Sequence, residues 1–166
     1  MELVQARGAE LNRYGFLLCG DRGEGADLLQ DALVRVFTHP KAGWTVQDVE
    51  RYVRRAMLNR YLDQYRRQRR LRLLLPRLSG GAQPEVAPDH GGGVDQRLDL
   101  QDALKKLTPR QRACVVLRFY EDLPVSEVAH RMQLSDGTVK RHLSDAAARM
   151  AVALEPTQTV TMKGNR

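Results

Sequence analysis

Apolar residues recur every three or four positions through most of this chain, which is the period of an α-helix. In "EGADLLQDALVRVF", Leu28, Leu29, Ala32, Leu33, Val36 and Phe37 fall on one face, while Asp27, Gln30, Asp31 and Arg35 line the other. A helix before it is expected from about Leu3 to Cys19, weakened by Gly8 and Gly15. A third helix starts at Thr45, where Asp48 completes a capping box. Its stripe is Val49, Tyr52, Val53, Ala56 and Met57, and it runs on into "NRYLDQYRRQRR".

The pattern breaks at "SGGAQPEVAPDHGGG", where glycine and proline dominate and no period survives. The helical period resumes from about Val94 to Lys106. Thr108, Pro109 and Gln111 then form an N-cap, a first-position proline and a capping box. Ala113, Val116, Leu117 and Tyr120 share one face of the helix they start. The short run "PVSEVAHRM", a connection over Gln133–Ser135 and a last helix follow. Ser135 is placed to cap that helix, with Leu134 and Val139 at its staple positions. Val139, Leu143, Ala146, Ala147, Met150 and Leu154 are its expected buried stripe, which leaves Asp136, Thr138, Lys140, Arg141, Ser144 and Asp145 facing outward. The expected fold is all-α: two small helical domains, 1–77 and 95–155, joined by a flexible linker over 78–94 and followed by a tail over 156–166.

Charge adds a direction to this picture. The formal charge of +7 favours a polyanion, with nucleic acid ahead of a membrane surface. Acids outnumber bases up to Glu50, and from Arg51 to Arg77 the arginines face a single acid, Asp63. Tyr52, Tyr61 and Tyr65 interleave with those arginines, a combination suited to phosphates and unpaired bases as well as to an amphipathic helix. Two short helices joined by a tight turn, the second fronted by Lys140 and Arg141, make a helix-turn-helix suited to a DNA major groove. Gly137 there allows close approach of a backbone.

Other chemistry finds little support. Asp27 and Asp31 share a face but lack a histidine or third carboxylate, so no metal site is expected. Cys19 and Cys114 sit in apolar runs without ligand spacing and suit a reducing cytoplasm. The N-terminus does not read as a signal peptide, and no run approaches membrane-spanning length. No nucleophile, base and orienting group assemble, so neither catalytic residues nor a cofactor are expected.

"SDGTVKRHLSDA" resembles the region 4 helix-turn-helix of bacterial sigma-70 factors, and "LTPRQRACVVLRFYEDLPVSEVAHRM" resembles the segment before it. "GADLLQDALVRVF" is similar to region 2.2, and "VERYVRRAMLNRYLDQYRRQRR" to regions 2.3 and 2.4. Their order and the two-domain layout resemble the extracytoplasmic-function group, closest in phrasing to actinobacterial members. The resemblance implies a cytoplasmic subunit that directs core RNA polymerase to promoters and helps open the duplex. Asp27, Leu28, Gln30, Asp31 and Arg35 would meet the β′ clamp helices. Asn59, Asp63, Arg66, Arg67, Arg69 and Arg70 would serve the minus-10 element. Ser135, Thr138, Lys140, Arg141, Ser144 and Asp145 would serve the minus-35 element. Core polymerase (β′ clamp and β flap), promoter DNA and an anti-sigma factor are the implied partners.

Three positions depart from the family pattern. Gln133 replaces the usual turn glycine, Pro124 replaces a serine cap, and Asp145 stands where arginine is common. The alternatives are a free-standing dimeric helix-turn-helix regulator and a sigma-like decoy that holds polymerase or an anti-sigma partner without reading promoters.

Overall fold

The computed structural model describes residues 2–38, 43–74 and 96–154, with side chains from residue 7 in the first stretch and residue 100 in the last. The expected linker and tail lie outside the described residues. Three helices form the first half: α1 (Glu2–Cys19), α2 (Arg22–Thr38) and α3 (Val46–Leu74). The second half holds α4 (Gln96–Lys105), α5 (Pro109–Val115), α6 (Val125–Met132) and α7 (Asp136–Leu154). Between α5 and α6 the chain widens into a π-helical turn, Val116–Tyr120, where the Glu121 N–H reaches Val116 O at 3.1 Å.

The caps explain where these helices begin. At α3 the Thr45 hydroxyl accepts the Asp48 N–H at 3.2 Å, and Asp48 accepts the Thr45 N–H at 3.1 Å. At α5 Thr108 and Gln111 exchange the same pair of bonds, with Pro109 in the first turn. Pro124 precedes α6 in an extended conformation without a side-chain cap, so the departure from serine costs that helix a hydrogen bond.

Leu11, Tyr14 and Leu18 of α1 pack against Leu28, Leu29 and Ala32 of α2 and against Val53, Met57 and Leu58 of α3. Helices α1 and α2 touch backbone to backbone at Gly15 and Gly25. A Cβ on Gly15 would lie 2.6 Å from Gly25 O. Gly15, expected only to weaken α1, is therefore what allows the first two helices to meet.

In the second half, Ala113, Cys114 and Leu117 pack with Val128, Ala129, Met132 and Val139. The same cluster continues into the first half without a break. Cys19 is half-buried and Cys114 buried, both as free thiols. Burial pushes the Cys19 thiol up to about 12 and the Cys114 thiol up to about 11.

Two expected stripes are narrower than the sequence pattern implied. On α7 only Val139 and Ala146 are buried; Leu143 and Met150 are half-buried, and Ala147 and Leu154 are exposed. A 19-residue helix is about 28 Å long and outreaches the shorter helices it packs on. Phe37, in the last turn of α2, is 61% exposed rather than in the core.

Candidate nucleic-acid interface

The turn between α6 and α7 sets the geometry of the second half. Gln133 takes the left-handed conformation, φ 55° and ψ 47°. Its N–H reaches His130 O at 3.3 Å, and the Leu134 N–H reaches Ala129 O at 2.9 Å. This is the double bond pattern with which helices end on glycine, here carried by glutamine. Ser135 Oγ then accepts the Thr138 N–H at 3.2 Å and caps α7.

Beyond that cap, Val139 is fully buried and fixes the rotation of α7. Ser135, Lys140, Arg141, Ser144 and Asp145 are exposed in consequence, and Thr138 is half-buried with its hydroxyl 2.9 Å from Ser135 Oγ. A Cβ on Gly137 would meet nothing within 4 Å, so the fold itself does not require a glycine there. His142 leans inward. Burial, then Arg110 and Arg141, push its pKa down, so near neutral pH the basic front of α7 rests on Lys140 and Arg141.

Helix α3 turns a second polar surface outward. Its buried side is Val53, Ala56, Met57, Leu58, Tyr61 and Leu62. Asn59, Asp63, Arg67 and Arg70 are exposed and follow one another at intervals of three or four residues. Arg69 is exposed, and Arg66 is half-buried and pairs with Asp63 at 3.2 Å. Arg66, Arg69 and Arg70 share a shallow cleft with Tyr65, Leu73 and Arg110 of α5. Tyr61 is a core residue rather than a stacking platform, because its ring completes the inner face of α3.

On α2, Asp27, Gln30, Asp31 and Arg35 are exposed. Leu28 is not; at 2% exposure its side chain belongs to the core beneath them. Asp31 accepts from Arg60 Nε of α3 at 3.2 Å. Arg60 therefore joins the acidic face, although nothing in the arginine run distinguishes it.

Residues 103–151 match the family described as Sigma-70, region 4. The chain is 33% identical over 154 residues to the RNA polymerase sigma-E factor of Streptomyces avermitilis, covering 93% of this chain and 84% of that one. This chain belongs to the extracytoplasmic-function sigma factors of the sigma-70 family. The ECF RNA polymerase sigma factor SigL of Mycobacterium tuberculosis is 28% identical over 155 residues, covering 92% of this sigma factor and 87% of its relative. The solved structure of the sigma factor RpoE of Bartonella quintana, in complex with the anti-sigma factor NepR, matches with a TM-score of 0.62 at 19% identity. That match covers 93% of this sigma factor and 96% of the solved chain, and it supports the all-α fold. The sigma factor therefore acts in promoter-specific transcription initiation, and the match to the DNA-binding region 4 runs from the last turn of α4 into α7. Among the described residues no helix is long and apolar enough to cross a membrane.

Proposed function

We propose that this sigma factor reads a minus-35 element with the front of α7 and a minus-10 element with the outer face of α3, while α2 holds the polymerase clamp. The observation that carries this reading is the rotation of α7. A buried Val139 and a serine cap leave Lys140, Arg141, Ser144 and Asp145 exposed along its N-terminal half. A helix presented this way fits a major groove with its first turns at the base edges. Lys140 and Arg141 donate to guanine edges or phosphates, and Asp145 accepts from a cytosine amino group.

On α3, Asn59 is exposed one turn ahead of Asp63, with the arginines beyond. That order suits a donor–acceptor side chain that meets an unpaired base and cations that follow the backbone beyond it. Asp27, Gln30, Asp31 and Arg35 form the surface for the β′ clamp helices, and the second half meets the β flap. In this reading the polymerase performs the chemistry in the cytoplasm and the sigma factor supplies no catalytic group. An anti-sigma factor is a third partner of the same kind as NepR is for the Bartonella quintana protein.

Run-off transcription with core polymerase on genomic promoter fragments tests the reading. Transcripts from defined start sites, dependent on this protein, are expected, and their upstream sequences should share two elements. Tight, sequence-specific duplex binding by the protein alone would favour a free regulator. Co-purification with core polymerase without any transcript would favour a decoy.

A further inference from the structure

The last turns of α3 carry more positive charge than the fold neutralises. Tyr65, Arg69 and Leu73 follow one another at intervals of four, and Arg66 and Arg70 form the row beside them. Both rows line the shallow cleft that Arg110 of α5 completes. The cleft has a volume of about 360 Å³. That falls within the roughly 300–1,000 Å³ of small-molecule sites.

Four guanidiniums and no carboxylate line this cleft. Asp63 holds Arg66 at 3.2 Å from outside it, and Arg70 Nε donates to Arg66 O at 3.4 Å. Arg69 and Arg110 form no ion pair among the described residues. The same positive field reaches α7, where burial first, then Arg110 and Arg141, push the His142 pKa down. Like charges gathered in one cleft repel, and the repulsion is stronger beside protein than in bulk water. A bound polyanion removes it.

Arginine suits phosphate because its planar fork donates two parallel hydrogen bonds. The cleft also has a less polar wall. Tyr65 is half-buried in it, and Leu73 is 68% exposed at its edge. An aromatic ring beside guanidiniums suits the flat face of a base. A nucleic-acid backbone laid along α3 could be held by α3 alone. Arg110 arrives from α5 and turns a row of cations into a cluster.

We propose that this cleft is a binding site for a nucleoside polyphosphate, with its phosphates among Arg66, Arg69, Arg70 and Arg110 and its base against Tyr65. The site does not rest on the promoter reading; one consequence of it does. Phosphates held by Arg66, Arg69 and Arg70 occupy side chains proposed above for the minus-10 element, so nucleotide and DNA compete for them.

Isothermal titration calorimetry of the full chain with ATP, in magnesium-free buffer at fixed ionic strength, tests the site. Saturable one-to-one binding is expected. Arg110→Gln should weaken it about tenfold or more, because a charge-assisted contact is lost. Arg149→Gln removes the same charge from the exposed surface of α7 and should leave binding unchanged. Absence of saturation, or equal weakening in both variants, would overturn the site. Arg69→Gln supplies the comparison if Arg110→Gln loses helicity. Inorganic tripolyphosphate separates nucleotide from bare polyphosphate. It should bind about fivefold or more weakly than ATP, and Tyr65→Leu should bring ATP down to the same level. Tripolyphosphate as tight as ATP would overturn the nucleoside assignment. For the competition, ATP should displace a fluorescent single strand from the wild-type chain at lower concentration than from Arg110→Gln; equal displacement would overturn it. Failure of the promoter reading would appear in run-off transcription instead and leave the ATP titration unaffected.

Discussion

Gln133 occupies a backbone conformation that glycine adopts without cost. For other L-residues it costs roughly 1–2 kcal/mol. At φ 55° the side chain is exposed and the hydrogen bonds around it come from the backbone. Gln133→Gly should therefore stabilise the protein by about 1 kcal/mol in urea unfolding. On the α7 surface, Lys140→Ala or Arg141→Ala should each weaken minus-35 binding by about 1–3 kcal/mol if the side chain reads bases. A phosphate contact would instead show as a uniform loss across DNA sequences and a shallower salt dependence. Asn59→Ala should slow promoter opening, followed by permanganate footprinting, while leaving affinity for core polymerase unchanged.

Helix α1 meets α2 through two glycines, and this is where an element-scale change should matter. Gly15→Ala places a methyl carbon against Gly25 O and should cost about 1–3 kcal/mol, read as a lower melting temperature. Gly137→Ala, which meets open space, should not destabilise the fold. At the start of α3, the hydrogen bonds from Thr45 hold the Asp48 carboxyl below its ordinary value of 3.8. A depressed carboxylate contributes stability above its unfolded pKa, and that contribution disappears as the pH falls through the lower folded value. Amide exchange in the first turn of α3 should accordingly accelerate, relative to the α3 interior, as the pH drops below about 4, and Asp48→Ala should abolish that dependence.

In the proposed reading the whole molecule separates its charges by partner. The acidic surface of α2 and the arginine end of α3 lie on neighbouring helices, linked by the Arg60–Asp31 pair. An exposed pair of that kind contributes little stability, so both residues remain available to a partner. Asp27→Asn combined with Asp31→Asn should weaken holoenzyme formation, measured by fluorescence anisotropy, without altering binding of the second half to a minus-35 duplex. Equal loss of both would place the acidic surface in the fold rather than at the polymerase.

Local patterns are legible in the amino-acid order alone. Capping boxes at Thr45 and Thr108, the serine cap at Ser135 and the outward face of α7 depend on residues within a few positions of one another, so spacing by itself specifies them. The left-handed residue at Gln133 is legible too, as a turn lacking its glycine. Contacts between distant segments leave no such trace. The outward turn of Phe37, which the helical period placed with the core, is decided by where the packing of α2 ends. The role of Gly15 depends on a backbone ten positions away, and that of Arg110 on arginines in the other half of the chain. One guanidinium among many in the sequence is singled out only when a distant helix converges on it, and convergence is a property of packing.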